Sequence, residues 1–356
     1  MTETIIRQHL TTFGLSEKEI DAYLAVLRSG TKTTGDLADS AEVSTGYIYD
    51  VVQTLSDRKL VTIDESTSPT TVRARPPEEV SAEFTARIDE LEDAIDEAFA
   101  GGDEPAGFEI VRSRSTVRRR ARSAIETAEG EVFIVIPATE FEKLRDALTA
   151  AVDRGVFVYL MLVPPGVSST IDDLDAPGTI ARVLRTWSAK PPVTVIADET
   201  RGVIGPYAVL SGRHGDESAL SFTMPSIAGG FLGNIMSNVW PMGDTEFVSD
   251  PDPLPSTYQF FRTSVSNAAL HDMDGRDLSA DLTVLDVESG DREQHTDVPI
   301  VEIRQSLIGD PTTAFPTENS FVVEVDGERH AVGSSSGGFE PFFETYAAIE
   351  VTLQER

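Results

Sequence analysis

Residues 33–60 form the stretch that most constrains the fold of this chain. Ile48, Val52 and Leu55 recur there at spacings of four and three, so they share one apolar face of a helix. Ser44 stands directly before this helix, where its hydroxyl can accept a hydrogen bond from a free backbone N–H. The stretch therefore predicts a capped helix that buries one face and leaves the other exposed.

A shorter helix precedes it in the same stretch. Thr34 is placed to cap this first helix, and Glu42-Val43 supplies a turn between the two. The residues left on the outer face near the start of the second helix are Thr45, Gly46, Tyr47, Asp50 and Gln53. Two helices joined by a tight turn, with polar residues at the front of the second, predict either a DNA-reading helix-turn-helix or plain helical packing.

The segments on either side favour the DNA-reading interpretation. Upstream, Ser16 and Glu19 form a capping-box pattern that opens another amphipathic helix. Downstream, residues 60–63 and 71–75 have the pattern of two strands joined by a turn, and the second carries two arginines where a wing reaches phosphates. Three helices followed by a hairpin predict a winged helix over residues 1–76. The residues that we expect to contact DNA are Lys32, Thr33, Ser44, Thr45, Gly46, Tyr47, Tyr49, Gln53, Arg73 and Arg75.

Residues 13–77 resemble the winged-helix domain of the TrmB family of archaeal sugar-responsive transcription regulators. The resemblance runs from FGLSEKEIDAYLAVLRSG through VSTGYIYDVVQTLSDRKLV to VRARPPEEV. It implies that the partner is double-stranded promoter DNA. The family usually has basic residues where this chain has Thr45, Gly46 and Tyr47, and often has Gly where this chain has Lys59. These departures put in doubt which DNA sequence the protein recognises, and not whether it binds DNA.

The segment that follows the hairpin is strongly helical. Its apolar residues repeat at spacings of four and three over roughly three heptads. They are Val80, Phe84, Ile88, Leu91, Ile95 and Ala98. Such a seam predicts either a coiled coil or a helix packed on its own domain. Because a dimer of winged helices needs a spacer behind the wing, we expect residues 77–100 to form a coiled-coil dimerisation helix, with the homodimer contact over residues 78–100.

Beyond a Gly- and Pro-containing linker, strands alternate with helices, as in FEIVR, EVFIVI, VFVYLMLV and VTVIAD. This alternation predicts an α/β layer with a mainly parallel sheet over residues 107–249, in which GVIGPYAVLSG is a further strand. Runs of β-prone residues broken by turns then predict a β-rich sandwich or barrel over residues 250–356. The predicted fold class is multidomain α+β, with a winged helix-turn-helix, a coiled-coil linker helix, an α/β unit and a C-terminal β-rich domain.

The family resemblance implies that the α/β unit is a phospholipase-D-like half domain. Phosphodiesterases of that fold use a His, a Lys two residues further on, and a downstream Asp. Here His214 is followed by Gly215-Asp216, so the Lys is missing, and neither a nucleophile elbow nor a phosphate-binding loop motif occurs. We therefore expect this domain to serve binding and the chain not to be an enzyme.

The densest positive cluster consists of Arg112, Arg114, Arg118, Arg119, Arg120 and Arg122. A cluster of this kind predicts either a second DNA-contacting or anion-binding surface, or a set of salt bridges to neighbouring carboxylates. In so acidic a chain we favour the salt bridges.

The segment VGSSSGGFEPFFETY, near the end of the chain, combines small, acidic and aromatic residues. This combination suits either a sugar site or a Gly/Ser surface loop, and the residues alone favour the loop. The family resemblance implies a sugar site, because members bind sugar through a Ser, an Asn, a Gly and a Glu. The matching residues here are Ser211 at the end of a predicted strand, Asn319 before a predicted strand, Gly338 and Glu344.

Composition sets wider limits on function. The chain has 60 acidic and 29 basic residues, a formal charge of −31, and only five lysines. So acidic a surface argues against nucleic-acid binding, because phosphate contact depends on Lys and Arg. The exception is a proteome adapted to molar internal salt. There the Debye length shrinks to about 3 Å, so repulsion between exposed charges is largely screened. We favour this halophilic explanation.

The remaining composition narrows the function classes. No cysteine is present and the five histidines have no metal-ligand spacing, so we expect neither disulfide nor metal nor cofactor. Without an 18-residue apolar run or a signal-peptide pattern, we expect a soluble, cytoplasmic protein with no membrane partner. The sequence thus predicts a dimeric transcription regulator that senses a sugar or related metabolite. A protein-interaction or structural module on a winged-helix scaffold is the alternative, and a phosphodiesterase is third.

Overall fold

The structure is a computed structural model that describes residues 2–66, 69–98, 107–211, 217–334 and 344–356. The chain divides into two compact units, residues 1–100 and residues 101–356. Within the described residues, no helix combines the length and the apolar character that crossing a membrane requires.

The N-terminal unit is helical with a small sheet. Its elements are α1 (Thr2–Thr12), α2 (Glu17–Ser29), β1 (Thr31–Thr33), α3 (Thr34–Ala41), α4 (Thr45–Asp57), β2 (Val61–Asp64), β3 (Thr71–Ala74) and α5 (Pro77–Ala98). The strands form an antiparallel sheet in the order β1-β3-β2. The hairpin β2–β3 is the predicted wing, and β1 is a third strand that the sequence pattern did not predict.

Helix caps set the boundaries of the helix pair. Ser44 caps α4, as predicted, and its hydroxyl accepts a hydrogen bond from the Tyr47 N–H at 3.3 Å. The cap of α3 is Thr33 and not the predicted Thr34, because the Thr33 hydroxyl accepts the Asp36 N–H while Thr34 is already the first helical residue and buried. Glu42 ends α3 in the left-handed conformation, at φ 52°, and makes the turn.

The core of this unit forms where the three helices meet. Ile48, Val52 and Leu55 on α4 are buried as predicted, and Val51 joins them. They pack in one cluster with residues from α2, from α3 and from the sheet, including Leu37. Burying the apolar face of α4 in this way fixes its opposite face toward solvent.

The second unit begins with an α/β layer. Its elements are β4 (Phe108–Val111), α6 (Arg114–Glu126), β5 (Glu131–Pro137), α7 (Ala138–Asp153), β6 (Phe157–Val163), α8 (Val167–Asp172), β7 (Val183–Thr186), β8 (Val193–Ala197), β9 (Arg201–Gly205), α9 (Ala208–Ser211), β10 (Ala219–Phe222), α10 (Pro225–Asn234) and β11 (Asp244–Val248). A π turn and a 3-10 turn over Ile235–Met242 join α10 to β11.

The eight-stranded sheet of this layer has the order β11-β7-β6-β5-β8-β9-β10-β4. Only the β5–β6 and β6–β7 pairs are parallel, so the expectation of a mainly parallel sheet is wrong. The physical reason is connection length. Strands β8 and β9 are joined by a three-residue turn, Asp198–Thr200, and so short a turn permits only antiparallel pairing.

A second difference concerns GVIGPYAVLSG, which was predicted to be a strand. The strand ends at Gly205, and the helical turn α9 follows Pro206. Proline has no N–H to continue a ladder, whereas the start of a helix needs none at that position. Strands β7 and β11 were not predicted from the sequence.

Two apolar cores cover the two faces of this sheet. On one face, α6 and α7 pack over residues such as Ile134 and Leu160. On the other, Phe133 and Tyr159 pack with α10 and with Trp240. Leu307, which lies further along the chain, is buried in the second core as well.

The rest of the unit is a closed barrel. Its elements are β12 (Ser256–Tyr258), α11 (Phe261–Met273), β13 (Leu278–Asp286), β14 (Arg292–Arg304), β15 (Ser320–Val325), β16 (Glu328–Ser334) and β17 (Tyr346–Glu355). The strand order is β12-β17-β13-β14-β15-β16, and β16 also pairs parallel with β17, which closes the sheet. The predicted "sandwich or barrel" is therefore a barrel, and the predicted multidomain α+β fold class is confirmed.

Helix α11 connects the barrel with the α/β layer. Its residues 261–271 are buried all round. Val265 packs in the barrel core, whereas Leu270 packs in the second core of the α/β layer. A helix that is buried on every side belongs to the interior of one larger unit, which agrees with the single compact unit over residues 101–356.

Candidate functional site

The outer face of α4 is the candidate DNA-reading surface. Thr45, Gly46 and Gln53 are exposed there, and Tyr47 and Tyr49 expose 46% and 51% of their surface. A Cβ added to Gly46 would meet no atom within 4 Å, so the helix backbone is open to close approach at this point. All five residues were predicted to contact DNA, and the structure presents them on the accessible side of one helix.

Local hydrogen bonds hold this face in place. The Thr34 hydroxyl lies 3.4 Å from the Tyr49 hydroxyl and donates to it, which ties the start of α3 to α4. The Gln53 amide donates to the Asp57 carboxylate at 2.8 Å, one turn further along α4. The face that results is polar and aromatic, and its predicted contact residues are uncharged.

The three cationic residues predicted to contact DNA phosphates have different partners in the structure. Arg73, on the exposed side of β3, donates from Nε to the Thr31 hydroxyl at 3.4 Å. Arg75 forms a salt bridge with Glu79 at 2.9 Å, so the wing is tied to the start of α5 at this point. Lys32 donates to the Ser40 hydroxyl at 2.7 Å. Arg73 is the predicted cation that the wing presents to solvent.

Helix α5 has two different halves. Near its start, Val80 and Phe84 pack against the core of the winged helix, and Phe84 stacks on Phe13 with ring centroids 4.7 Å apart. Further on, the stripe continues on the outside, where Leu91 and Ile95 expose 60% and 57% of their surface. The first half of the helix thus packs on its own domain, and the coiled-coil dimer over residues 78–100 stays a prediction.

The structure describes three of the four predicted sugar residues. Asn319 is buried directly before β15; its Nδ2 donates to the Thr317 carbonyl at 3.3 Å, and its Oδ1 has no partner in the described part of the chain. Glu344 is half-buried just before β17. Gly338 lies outside the described residues. Ser211 ends the helical turn α9, so the expectation that it ends a strand is wrong.

Asn319 and Glu344 lie at the same end of the barrel. The β15–β16 register pairs Phe321 with Val332, so one step further Ser320 faces Gly333. The backbone of Gly333 in turn lies against the Glu344 side chain. Two of the predicted sugar residues are therefore brought into one neighbourhood.

Two acidic residues shape this neighbourhood. Glu318 accepts hydrogen bonds from Thr313 and, at 3.3 Å, from Ser320, and it pairs with Arg304 at 3.6 Å. Burial raises the pKa of Glu344 above its ordinary 4.5, and the charge of Glu318 adds to the rise. Neither Glu318 nor Gly333 was predicted as a site residue. The signal for Glu318 was its place beside Asn319, whereas Gly333 could be found only from strand register.

Ser211 belongs to a different environment. Its hydroxyl donates to the Tyr207 carbonyl at 2.8 Å, and its neighbours Val209 and Leu210 are buried in the core under α6. The loop between β14 and β15, which includes Leu307, packs on the opposite face of the eight-stranded sheet. Within the described residues, no contact joins Ser211 to the end of the barrel that holds Asn319.

A cleft of about 320 Å³ opens where α11 begins. Its lining combines aromatic, amide, hydroxyl and carboxylate side chains, among them Asp252, Tyr258, Gln259 and Thr263. Ser211, Asn319 and Glu344 do not line it. It is a polar cleft with groups of the kind that contact sugar hydroxyls.

The arginine cluster is largely occupied by carboxylates. Arg118 and Glu140 form a buried two-point salt bridge, with bonds of 2.6 and 3.0 Å. Arg120 pairs with Glu109 at 2.9 Å, and Arg122 pairs with Glu126 at 3.4 Å. These contacts agree with the salt-bridge interpretation. Among the residues that the structure describes, no group of His, Asp and Glu side chains has the arrangement of a metal site.

A winged helix whose α4 has an accessible outer face, followed by a unit of an α/β layer and a barrel, defines the class of winged-helix proteins with an appended C-terminal unit. Two family models match the chain. Residues 10–78 match "Sugar-specific transcriptional regulator TrmB", and residues 107–246 match "Transcriptional regulator TrmB, EBD N-terminal subdomain". Together the two matches cover more than half of the 356 residues. The chain belongs to the TrmB family of transcriptional regulators.

Individual relatives are more distant. The HTH-type sugar sensing transcriptional regulator TrmBL1 of Pyrococcus furiosus is 28% identical over 153 residues, which are 42% of this chain and 45% of that protein. The chain thus matches less than half the length of this curated relative.

Two solved structures give fold comparisons. The structure of TrmBL2, described as an archaeal chromatin protein with a novel mode of DNA binding, is 20% identical and covers 68% of this chain and 100% of its own, with a TM-score of 0.35. Nuc, a phospholipase D family member from Salmonella typhimurium, is 21% identical and covers 40% of this chain and 99% of its own, with a TM-score of 0.30.

Proposed function

We propose that this chain is a sequence-specific DNA-binding transcription regulator whose C-terminal unit senses a sugar or related metabolite and modulates promoters of metabolic genes. The observation that carries the proposal is the ordered, solvent-facing side of α4, on which Thr45, Gly46 and Tyr47 stand directly behind the Ser44 cap. A recognition helix reads base edges in the major groove with residues at its N-terminus. Family membership supports this role.

The proposed mechanism is linkage between two sites. A ligand that prefers one arrangement of the effector unit changes the spacing of two recognition helices on a palindromic site. Ligand and DNA then alter each other's affinity by the same factor. The spacing requires a homodimer, which we assign to a coiled coil of α5 over residues 78–100 because Ile88, Leu91 and Ile95 leave an apolar stripe exposed.

We further propose that the α/β layer serves binding and has no catalytic role. The supporting observation is the sequence His214-Gly215-Asp216, which lacks the Lys of the phosphodiesterase pattern; these residues lie outside the described part of the structure. The charge of −31 supports a cytoplasmic protein of a halophilic cell, because molar salt screens self-repulsion that would oppose folding in dilute buffer.

Footprinting of the full-length chain on genomic promoters in high-KCl buffer tests the DNA role. The variant that combines Thr45→Ala with Tyr47→Ala should lose affinity at least tenfold, about 1.4 kcal/mol, because both side chains lie on the exposed face of α4. Thr85→Ala is the matched control, since Thr85 is exposed on α5 and away from that face. Absence of any protected promoter would refute the proposal. Unchanged promoter occupancy of the double variant in cells would favour a protein-interaction module.

A thermal-shift screen of sugars and phosphorylated intermediates tests the sensing role. The sugar that raises the melting temperature of the parent chain should not do so for Glu344→Ala, because the carboxylate that accepts sugar hydroxyls is gone. Glu350→Ala removes an exposed carboxylate six residues further on and should keep the shift. An unaltered shift in Glu344→Ala would mean that the sugar binds elsewhere, with the cleft at Tyr258 as the next place to examine.

A further inference from the structure

A second cleft lies in the N-terminal unit, away from the sugar residues. Its volume is about 380 Å³, which is within the size range of small-molecule sites. Residues of α1, α2, β1 and the end of α3 line it. They are Arg7, Lys18, Asp21, Leu24, Ala25, Arg28, Ser29, Lys32, Ser40, Ala41 and Glu42.

The charge of this cleft is opposite to that of the chain. Four cationic side chains line it, against two carboxylates, in a chain with 60 acidic and 29 basic residues. Two of the five lysines of the whole chain, Lys18 and Lys32, stand in this one cleft. The lining therefore has an excess of positive charge, and such an excess in a concave surface favours the approach of an anion.

The cations differ in how they are neutralised. Arg7 pairs with Asp21 at 2.6 Å, and Arg28 pairs with Glu3 at 2.6 Å. The two lysines contact neutral oxygens instead: Lys18 donates to the Ala41 carbonyl at 2.8 Å, and Lys32 donates to the Ser40 hydroxyl at 2.7 Å. Each ammonium has three N–H donors, and the described residues supply one acceptor to each. Neither lysine has a carboxylate partner in the described part of the chain.

A structural role alone explains only part of this arrangement. Two cations at the C-terminal end of α3 stabilise that helix through its dipole, and the bonds to Ser40 and Ala41 fit this role. That role does not require a cleft lined by both lysines. Two ammonium groups with unused N–H donors on the wall of one cleft are a chemical match for the oxygens of a phosphate group.

The cleft is on the other side of β1 from the wing arginine. Successive side chains of a strand point to opposite faces, and the Thr31 hydroxyl accepts a bond from Arg73 while Lys32 reaches Ser40. Lys32 therefore points away from Arg73 and into the cleft. A small phosphate-bearing anion reaches this position more directly than a duplex that lies against α4 and the wing.

We propose that this cleft binds a phosphate group, held by Lys18 and Lys32, and that the source is a free, multiply charged phosphate compound. The site is independent of the sugar residues, so it goes beyond the function proposed above. Bound phosphate would lock α2 to the end of α3, directly before the turn that sets the position of α4.

Calorimetric titration of the full-length chain with inorganic tripolyphosphate, at fixed ionic strength and KCl concentration, tests the proposal. We expect saturable binding, and a dissociation constant at least tenfold higher in the variant that combines Lys18→Gln with Lys32→Gln. Lys143→Gln combined with Lys190→Gln is the matched control, because it removes two lysines from the second unit; we expect it to bind as the parent does. Circular dichroism of each variant without phosphate checks that the helices remain, and Arg28→Gln, at an exposed rim position, provides a milder variant.

A second experiment, the salt dependence of duplex binding, distinguishes a free phosphate compound from a DNA phosphate. If the cleft holds a DNA phosphate, tripolyphosphate titration will show no difference between variants. The logarithmic salt slope of duplex binding will then be shallower in Lys18→Gln with Lys32→Gln, by roughly one unit for each DNA phosphate that the variant no longer neutralises. The proposal is overturned if the double variant binds tripolyphosphate as the parent chain does, whether or not the salt slope of duplex binding changes. Promoter footprinting and the sugar-induced thermal shift are separate measurements, so their failure would refute the function proposed above and leave this result standing.

Discussion

Gly333 shows how one residue without a side chain shapes the barrel end. A Cβ at this position would lie 2.5 Å from Cγ and 2.8 Å from Oε1 of Glu344. Carbon atoms in proteins do not approach so closely, because contacts of about 3.5–4.0 Å are optimal. The Glu344 side chain therefore occupies the space that any larger residue would fill. Gly333 thus acts on the proposed sugar site by positioning its carboxylate.

We predict that Gly333→Ala abolishes the sugar-induced rise in melting temperature, as Glu344→Ala should, because the added methyl group displaces the carboxylate. The folding cost should be modest, on the order of 1–3 kcal/mol for overpacking at one site. Thermal shift with and without the sugar measures both quantities. Gly229→Ala is the control, since a Cβ there meets no atom within 4 Å. A Gly333→Ala chain that keeps the full sugar shift would show that Glu344 does not contact the ligand.

At the level of elements, helix α5 is divided between two tasks. Its first turns are fixed to the winged helix by Phe84, which stacks on Phe13. The stripe beyond that point faces solvent at Ile88, Leu91 and Ile95. A coiled coil of two copies, as proposed above, would bury such a stripe in its seam, and burying a leucine side chain contributes about 1.5–3 kcal/mol.

We predict that Leu91→Glu converts a dimer to a monomer, because it places a charge in that seam. Light scattering coupled to size-exclusion chromatography would show half the mass, and the melting temperature of the winged helix should change little since Leu91 is 60% exposed within one chain. Ala86→Glu adds the same charge at an exposed position of α5 off the stripe and should leave the dimer intact. A dimer that survives Leu91→Glu would place the dimer contact elsewhere.

The elements also show what the sequence could and could not predict. Periodicity and caps were enough for α2, α4 and α5, because each of these helices has an apolar stripe and local start signals. Strand β7, VLRT, and strand β11, DTEFV, were missed because four or five residues with polar members do not give a period. Their strand conformation depends on each other, since β7 pairs with both β6 and β11.

The site residues divide in the same way. Family resemblance pointed to Asn319 and Glu344, which lie at one end of the barrel. It placed Ser211 on a strand, although Pro206 ends the strand and a helical turn follows. Glu318 had only its place beside Asn319 as a signal, and Gly333 had none in the sequence. Their proximity to Glu344 arises from the parallel β16–β17 pair that closes the barrel, and no local pattern specifies that pair.

At the scale of the whole molecule, a buried charge network joins the α/β layer to the barrel. Arg262 at the start of α11 donates to Glu131 on β5 and to Glu199 in the β8–β9 turn. Burial raises the pKa of Glu131 to about 7, with Glu199 and Asp198 adding to the rise and Arg262 opposing it. Asp198 in turn accepts backbone N–H bonds from Glu129, Gly130 and Glu131 at 2.9–3.0 Å.

We predict that this network makes stability depend on pH. The folded chain binds a proton at Glu131 up to about pH 7, whereas the unfolded chain releases it near the ordinary pKa of 4.5. The contribution of Glu131 to the free energy of unfolding should therefore be fully present below about pH 4.5 and be lost as the pH rises to about 7, a fall on the order of 3 kcal/mol. Urea unfolding at pH 5–8 measures this fall. Tryptophan fluorescence is a suitable signal, because both tryptophans, Trp187 and Trp240, lie in the second unit.

Two substitutions isolate this contribution from that of other acids. Glu131→Gln should flatten the fall, because it removes the group that takes up the proton. Glu129→Gln, at an exposed position two residues earlier, should leave the fall as it is in the parent chain. Identical pH profiles for the parent and Glu131→Gln would show that Glu131 stays ionised beside Arg262 throughout this range.

The number of cations on the proposed DNA-reading surface sets how its DNA binding should respond to salt. The residues of α4 that we expect to contact DNA are uncharged, and Arg73 is the cation that the wing presents to solvent, while Arg75 is paired with Glu79. Each phosphate that a protein neutralises on duplex DNA contributes a slope of about −0.9 to the logarithm of affinity against the logarithm of salt. With one such cation in each protomer of a dimer, the slope should be no steeper than about −2.

Fluorescence anisotropy of a labelled promoter duplex over a range of KCl concentrations measures this slope. Thr45→Arg restores a basic residue at the start of α4 and should steepen the slope by roughly two, one phosphate for each protomer. Ala86→Arg adds the same charge on α5, away from the DNA-reading face, and should leave the slope unchanged. A slope in the parent chain as steep as about −6 would mean that phosphate contacts, and not base and groove-shape contacts from α4, supply most of the affinity.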